Sequence, residues 1–197
     1  MPRAGLDRSR VVAAAAVVAD DAGFERFTLA MVAKSLGVRL PSLYNHIESL
    51  EALRGEIAIQ AMNELAGVLS SAAAGRSRGE ALHAVAHAYR EYALKCPGRY
   101  SATIRAPIPD DAKHNAAASA VLDVMLAVLR GYNLEGDDAV DAIRAIRAAM
   151  HGWAELEKGG AFGMPQDVNR SYQRLITGIH ATLSLHDRSR PAEPLSV

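Results

Sequence analysis

Residues 28–46, TLAMVAKSLGVRLPSLYNH, decide the fold expected for this chain. The first half predicts a short amphipathic helix, because its apolar residues recur at the i, i+3, i+4, i+7 spacing of one buried face. Those residues are Leu29, Val32, Ala33 and Leu36. Gly37 should end this helix in the left-handed conformation, and Leu43 and Ile47 should anchor a second helix one turn apart. Two helices joined by a short turn predict a helix-turn-helix, which presents its second helix to the DNA major groove.

The second helix carries side chains that have little core to serve. They are Arg39, Leu40, Ser42, Tyr44, Asn45 and His46. Thr28 is a suitable N-cap for the helix before the turn. Pro41 fits the first turn of the helix after it, where its missing N–H is not needed. The outward face of the second helix is therefore the predicted DNA-reading surface.

The whole chain has the pattern of an all-α protein. Of its 197 residues, 50% are hydrophobic and 22% are charged, which is ordinary for a soluble globular protein. The length suits one full domain, or a small domain and a medium one. No region alternates with period two over the length of a strand. Outside the helix-turn-helix, helices are predicted over residues 7–22, 49–74, 80–95, 100–105, 110–130, 137–158 and 167–186.

The charge balance is unusual for a nucleic-acid binder, which is expected to have a basic surplus. Lys and Arg number 22, as do Asp and Glu, so the formal net charge is zero. Residues 1–55 hold only seven basic side chains against six acidic ones. If the chain binds DNA, each subunit makes few cationic phosphate contacts, and a dimer is needed to reach useful affinity.

Targeting signals are missing from the sequence. The N-terminal MPRAGLDRSR has no apolar core of the signal-peptide kind, and no stretch approaches the roughly 18 uninterrupted apolar residues of a membrane span. We therefore expect a cytoplasmic protein without a membrane partner. The single cysteine, Cys96, rules out an intramolecular disulfide.

Two further constellations favour a structural interpretation over a chemical one. His83 and His87 are four residues apart, a spacing that can hold a metal, but no third ligand lies nearby at a matching spacing. Cys96 precedes Pro97 and has no oriented base, so an idle thiol is favoured over a nucleophile. We expect no catalytic residues, no metal and no cofactor.

Bulky or amphipathic residues are scattered over the helices of the C-terminal two-thirds of the chain. They are Tyr89, Tyr92, Met125, His151, Trp153 and Phe162. Any one of them could be an ordinary core residue. A cavity lined by several would suit a mostly apolar, partly aromatic small molecule, which we predict as an effector.

The last two predicted helices each show an apolar stripe and a second, semi-apolar face. The stripe of 137–158 is Val140, Ile143, Ile146, Met150 and Trp153. The second faces consist of Ala139, Ala142 and Ala149 on this helix, and of Gly178, Ala181 and Leu185 on 167–186. One face can serve the monomer core and the other a two-fold partner, so that four helices from two chains form a homodimer bundle.

The order of elements resembles the TetR family of one-component transcriptional regulators over nearly the whole chain. The resemblance is strongest at LGV (36–38) and PSLYNHI (41–47), where turn, proline, Leu-Tyr pair and histidine all fall in register. A second match lies in His151-Gly152-Trp153, Leu156-Glu157 and Gly160-Ala161-Phe162. It is similar to the ligand-binding domain of a TetR subgroup with a Trp/His/Gly motif.

The resemblance implies roles for eight DNA-binding residues. Thr28 and Tyr44 should contact phosphates, assisted by His46. Leu40, Pro41, Ser42 and Asn45 should face the groove floor, where Asn can bond adenine bidentately and Leu or Pro can touch a thymine methyl. Arg39 should reach a guanine or a phosphate. Packing in the protein core is the alternative role for both Tyr44 and Leu40.

Two positions depart from the family pattern. Arg39 stands where many members have a small capping hydroxyl. Leu50 stands where many carry a lysine that contacts the DNA backbone at the start of the fourth helix. The absence of this lysine at position 50 agrees with the small basic surplus of residues 1–55.

Together these features predict a homodimeric, ligand-responsive repressor that binds a palindromic operator. Its domains would be 1–48 for DNA binding, 49–186 for effector binding and dimerisation, and 187–197 as a disordered tail. An effector would move the long helix 49–74 and so spoil the spacing of the two recognition helices. The alternatives are a small all-helical enzyme or ligand-sequestering module, and an activator that uses the same DNA-binding face.

Overall fold

The computed structural model describes residues 6–104 and 111–189, and all regular structure within these ranges is helical. The elements are α1 (Arg8–Ala22), α2 (Leu29–Leu36), a 3-10 helix η1 (Leu40–Asn45), α3 (Leu50–Ala73), α4 (Arg78–Lys95), α5 (Pro97–Ala102), α6 (Ala112–Arg130), α7 (Gly136–Lys158) and α8 (Val168–Ser189). The all-α class and the N-terminal helix-turn-helix are confirmed.

The chain forms two compact units. The first comprises the described parts of 1–66 and 92–121, and the second those of 67–91 and 122–197. The predicted boundary after residue 48 falls inside the first unit.

An apolar core holds the helix-turn-helix within the first unit. It is built from α1, α2, η1, the start of α3 and Ala102 of α5. Phe24 and Phe27 pack beneath the helix-turn-helix, with their ring centroids 5.9 Å apart. The fully buried members of this core include Val11, Ala15, Val32, Leu43, Leu53 and Ile57. The reading segment therefore rests on a packed scaffold.

The second unit is held together by contacts of α4 with α7 and α8. The Tyr172 hydroxyl of α8 donates a hydrogen bond to the carbonyl of Ala86 on α4 at 2.8 Å. Arg90 of α4 donates to Glu157 of α7 at 2.6 Å and to Asn169 of α8 at 2.8 Å. These bonds fix the three helices in one arrangement.

Several predicted details are wrong. The short fifth helix is Pro97–Ala102 and not 100–105, because Pro97 starts a new helix directly after α4 ends. In α7, the sequence places Val140 on the apolar stripe and Ala139 on the second face. In the structure Val140 is 40% exposed, whereas Ala139 is buried.

The C-terminal helix is longer than predicted. α8 continues to Ser189, three residues into the range expected to be a disordered tail. Residues 190–197 of that predicted tail lie outside the described residues.

By length and hydropathy alone, α6 (Ala112–Arg130) could cross a membrane. Core helices of soluble proteins meet the same criterion. Ala117, Met125 and Leu129 of this helix are buried inside the protein. A single helix of this kind is weak evidence for a membrane span.

Candidate functional site

The turn of the helix-turn-helix is fixed by local hydrogen bonds. The Thr28 hydroxyl caps α2 by accepting the N–H of Met31 at 3.3 Å, as predicted. Gly37 ends α2 with φ of 67°, the left-handed conformation that glycine adopts at no steric cost. The N–H of Val38 then bonds the carbonyl of Ala33 at 3.0 Å, which closes the turn.

The reading segment after the turn is a 3-10 helix. Two i to i+3 bonds define it, from Ser42 N–H to the Arg39 carbonyl and from His46 N–H to the Leu43 carbonyl, both 2.9 Å. Leu43 and Ile47 are buried, and they anchor the segment as predicted. Leu43 is the buried residue of η1, and its other side chains are exposed or half-buried.

The eight predicted DNA-binding residues lie on or next to this segment, and most are solvent-exposed. Thr28, Arg39, Leu40, Pro41, Tyr44 and Asn45 are exposed, and Ser42 and His46 are half-buried. Tyr44 is 56% exposed, so it is not a core residue. The surface formed by these eight residues is called the reading face below.

The start of α3 is fixed to the helix-turn-helix by packing and by Arg54. Leu50 packs against the apolar core of the first unit. The position that holds a DNA-contacting lysine in many family members is therefore a partly buried apolar residue in this chain. The Arg54 guanidinium lies 5.6 Å above the Phe27 ring and donates to the carbonyl of Glu25 at 3.0 Å. Ser49 caps the helix by accepting the N–H of Ala52 at 3.0 Å.

Arg99 joins α5 to both α1 and α3 in the first unit. Its backbone N–H and its Nε each bond the Asp20 carboxylate at 2.8 Å, and Nη1 bonds Glu64 at 2.9 Å. Burial opposes the charge of Arg99, but Asp20 and Glu64 outweigh burial and raise its pKa. Tyr92 donates to the same Glu64 at 3.1 Å. No local sequence signal indicates this network, because its partners are far apart in the chain.

The six predicted effector residues are distributed over both units. Tyr92 lies in the first unit and the other five in the second. Tyr89, Tyr92 and Met125 are buried, whereas His151, Trp153 and Phe162 are half-buried. Trp153 and Phe162 come together, with ring centroids 4.6 Å apart.

Around Trp153 the structure adds residues that the sequence did not single out as a site. The Tyr172 ring centroid lies 5.3 Å from that of Trp153, and the Arg90 guanidinium lies 5.1 Å above the Tyr172 ring. Trp153 Nε1 donates to Glu157 at 3.2 Å. The hydrogen bond from Arg90 holds the pKa of the Glu157 carboxyl below its ordinary value. We call Arg90, Trp153, Glu157, Phe162 and Tyr172 the aromatic cluster.

The metal and nucleophile alternatives gain no support from the geometry. His83 Nε2 lies 3.4 Å from the Thr177 hydroxyl, and the His87 ring meets the edge of Tyr172 at 5.6 Å. Within 6–104 and 111–189, no three His, Cys, Asp or Glu side chains are grouped to hold a metal ion. Burial raises the pKa of the Cys96 thiol, which disfavours the reactive thiolate.

A surface groove of about 720 Å³ runs between α7 and α8. Its lining is mainly small or apolar, with acidic and basic residues among it. The lining residues are Leu134, Asp138, Asp141, Ala142, Ala145, Ile146, Ala149, Arg174, Leu175, Gly178, Ile179, Thr182 and Leu183. The groove includes Ala142, Ala149 and Gly178 of the predicted second faces.

Comparison with known proteins identifies relatives along most of the chain. Residues 82–179 match the family described as Tetracyclin repressor-like, C-terminal domain. The chain is 33% identical over 188 residues to the uncharacterized HTH-type transcriptional regulator YobS of Bacillus subtilis, covering 95% of this chain and 98% of YobS. It is 39% identical over 158 residues to the uncharacterized HTH-type transcriptional regulator Rv0681 of Mycobacterium tuberculosis, covering 80% of this chain and 72% of that protein.

Solved structures share the fold. A variant of TetR from Acinetobacter baumannii AYE in complex with minocycline is similar with a TM-score of 0.69 and 19% identity, covering 93% of this chain and 99% of that one. BioQ with its natural double-stranded DNA operator is similar with a TM-score of 0.65 and 19% identity, covering 92% and 100%. The family match, the two regulators and the shared fold agree with the helix-turn-helix described above. The chain belongs to the TetR family of helix-turn-helix transcriptional regulators, which are DNA-binding proteins and not enzymes.

Proposed function

We propose that this protein is a homodimeric, ligand-responsive repressor that acts in the cytoplasm on a palindromic operator. The observation that carries the proposal is the reading face, an exposed set of polar and aromatic side chains on a segment anchored by Leu43 and Ile47. Such a segment is the part of a helix-turn-helix that enters the major groove. The likeness to BioQ with its operator supports this use of the fold.

Within the reading face, phosphate contacts set orientation and base contacts set sequence. The Thr28 hydroxyl accepts the N–H of Met31, so its own hydrogen remains available to donate to a phosphate. Tyr44 and His46 serve the same purpose. Asn45 bonds adenine and Arg39 bonds guanine or a phosphate. The remaining contacts to base edges come from Leu40, Pro41 and Ser42.

The homodimer forms through α7 and α8, with the groove as its centre. Small side chains at Ala142, Ala145, Ala149 and Gly178 allow a second copy to approach closely, while the charged residues form a polar rim. Leu185 on α8 is exposed and adds apolar area to the same helices. A two-fold interface of this kind matches the two-fold symmetry of a palindromic operator.

The effector is a small, mostly apolar molecule. Its proposed contacts in the second unit are Tyr89, Met125, His151, Trp153 and Phe162. The complex of a TetR variant with minocycline supports ligand binding by this fold. An effector releases DNA only if it binds the non-binding state more tightly, because equal affinity for both states shifts nothing.

The coupling route within the first unit is the Arg99 network. Arg99 bonds Asp20 of α1 and Glu64 of α3 at the same time. A displacement of α5 or α3 therefore pulls on α1, which packs in the same core as the reading face. The long helix α3 transmits the effector signal through these bonds.

The C-terminal half is assigned to the subgroup with the Trp/His/Gly motif. The motif residues His151, Gly152 and Trp153 lie on α7, and Phe162 follows in the loop after it. The contact between the Trp153 and Phe162 rings, which are tilted by 41° with centroids 4.6 Å apart, supports the assignment, because it brings the two ends of the motif together.

Alanine replacement of Tyr44 and Asn45 tests the reading face. Losing a phosphate contact and a bidentate base contact costs about 2–4 kcal/mol per subunit, roughly a 30-fold or greater loss of operator affinity. Y44A alone should weaken binding to all sequences equally, whereas N45A should relax discrimination at one base pair. The measurement is a mobility-shift titration on the operator and on a scrambled duplex.

Val17 offers a matched control, because it lies on α1 and is 56% exposed, like Tyr44. V17A should bind the operator as the wild type does. Unchanged operator affinity in the double variant Y44A/N45A would show that another surface reads DNA.

A further inference from the structure

Arg54 of α3 contacts the connection between α1 and α2. Its Nη2 donates to the carbonyl of Glu25 at 3.0 Å, and its guanidinium lies 5.6 Å above the ring of Phe27. The side chain is only 17% exposed, and Nη1 lies 3.5 Å from the carboxylate of Glu51 on the same helix. Arg54 therefore joins α3 to the connection through both a backbone group and a core side chain.

These contacts end one residue before the cap of α2. Phe27 is buried and directly precedes Thr28, whose hydroxyl caps α2. Within the connection itself, the N–H of Phe27 bonds the carbonyl of Gly23 at 3.0 Å. A local bond of this kind shapes the turn, but it does not fix the position of Thr28 relative to α3. The contacts of Arg54 do so.

The other part of the reading face is joined to α3 by the chain itself. Leu43 and Ile47 anchor η1 in the core, and α3 then begins at Leu50. Arg54 lies one turn further along α3 and fixes the Thr28 part. Phosphate contacts and base contacts must fit one duplex together, so the distance between the two parts decides whether both can form.

Stability alone does not explain an arginine at this position. Its Nε is buried without a hydrogen-bond partner, a property that it shares, among the described residues, with the ring nitrogens of His114. A buried donor without a partner is unfavourable, and an apolar side chain would cover Phe27 without that cost. An apolar side chain could not bond the carbonyl of Glu25, however, and the connection would lose this link to α3.

The charge of Arg54 is poorly placed for neutralising a phosphate. Phe27 covers one face of the guanidinium, and the Glu51 carboxylate lies beside it. A mostly buried cation next to a carboxylate releases few counterions when DNA binds. Arg54 therefore differs in its expected effect from a residue that contacts the DNA backbone directly.

We propose that Arg54 is a positioning residue for operator recognition, which fixes Thr28 at the distance from η1 that lets both contact one duplex. Arg54 itself touches no DNA and acts through Thr28. The proposal rests on the phosphate contact of Thr28 given above and deepens it. Glu25 is 29 residues from Arg54 in the chain, so no local sequence pattern indicates this role.

A double-mutant cycle of Arg54 and Thr28 tests the proposal. The probe is a DNA duplex that the full wild-type chain selects from a random-sequence pool, and mobility shift gives the affinities. R54M keeps a long side chain over Phe27 but has no donor, so it should weaken binding by about tenfold, the effect of roughly one hydrogen bond. T28A should weaken binding to a similar extent. T28A/R54M should bind as T28A does, because Arg54 acts through Thr28, whereas a general structural defect would add to the loss.

R76M is the matched control. Arg76 also donates to a backbone carbonyl, that of Ala72 at 2.8 Å, but both residues belong to the second unit. R76M removes the same charge and the same kind of bond as R54M does. It should bind the selected duplex as the wild type does.

The salt dependence of binding separates positioning from direct contact. R54M should keep the wild-type slope of log affinity against log salt, whereas the loss of a phosphate contact would reduce the slope by about one per subunit. R54K keeps the charge and a donor, so it provides a second variant for the cycle that does not depend on R54M folding. It should lose less affinity than R54M and show the same coupling to T28A.

Three results would overturn the proposal: wild-type affinity of R54M or T28A, a reduced salt slope in R54M, or losses that add in the cycle with either variant of Arg54. The regulator itself is tested separately by Y44A/N45A. These three results therefore count against the role of Arg54 and its link to Thr28, and not against operator binding by η1.

Discussion

Gly98 lies where α5 meets the backbone of α1. A Cβ placed on it would lie 2.0 Å from the carbonyl oxygen of Ala19, so no side chain fits unless the two helices move apart. The next residue, Arg99, bonds Asp20 on the same helix. One glycine and one arginine therefore join α5 to the DNA-binding core, the first by shape and the second by charge.

G98A should destabilise the protein strongly. Overpacking costs about 1–3 kcal/mol even where side chains can yield, and here the clash is with backbone. The urea concentration at the unfolding midpoint should fall, and operator affinity should fall with it as α1 loses its support. Urea unfolding and mobility shift measure the two effects.

Gly55 provides the control, since a Cβ there meets nothing within 4 Å and the residue is inside α3. G55A should gain about 0.5–1 kcal/mol from helix propensity. If G98A unfolded at the wild-type urea concentration, α5 would not be packed on α1 as described.

At the scale of elements, local chemistry was predictable and long-range packing was not. Thr28, Gly37 and Pro41 act on neighbours within four residues, and their roles as cap, turn and first-turn residue could be inferred from sequence. The 3-10 form of η1 and the exchange of Ala139 and Val140 on α7 depend on which neighbour each helix meets. That information lies in residues far along the chain, so the periodicity of one helix could not supply it.

The α4–α8 seam is a long-range feature of this kind. Gly79, His83 and His87 on α4 face α8, where a Cβ at Gly79 would lie 3.0 Å from Nε2 of His180. Thr177 lies 3.4 Å from Nε2 of His83. Burial first, and then the neighbouring His87 and His180, lower the pKa of His83.

This seam should make stability fall in mild acid. In the unfolded chain His83 has its ordinary pKa of about 6.5, so below that pH the unfolded state binds more protons than the folded state. The contribution of neutral His83 is therefore complete above about pH 6.5 and is lost as the pH falls towards its lowered folded pKa. The stability difference between pH 7.5 and pH 5.5 should be smaller in H83Q than in the wild type.

T177V serves as the control, because it removes the partner of His83 without removing a titrating group. T177V should keep the wild-type pH dependence even if its absolute stability is lower. Urea unfolding at the two pH values measures both variants. An identical acid loss in H83Q and the wild type would mean that His83 does not titrate with folding.

At the scale of the whole molecule, the balanced charge predicts that two chains must pair to bind an operator tightly. With zero net charge, and with seven basic against six acidic side chains in residues 1–55, one subunit gains little from phosphate neutralisation. A dimer holds two reading faces at a fixed spacing and so doubles the number of contacts to DNA. Once the first face is bound, binding of the second is intramolecular and costs less free energy. In the proposed homodimer, the contact through α7 and α8 should therefore control operator affinity.

Gly178 separates dimer formation from folding of the monomer. A Cβ there meets nothing within 4 Å in one chain, yet Gly178 lines the α7–α8 groove that a second copy would fill. G178Q should fold at least as stably as the wild type, because glutamine is the better helix former by roughly 0.5–1 kcal/mol. It should nevertheless sediment as a 21.0 kDa monomer at concentrations where the wild type has twice that mass, and operator affinity should drop with it.

G67Q makes the same change at an exposed, open position of α3, and it should remain dimeric. A dimeric G178Q with wild-type operator affinity would exclude the groove as the dimer interface, because a glutamine side chain cannot share that space with a second chain.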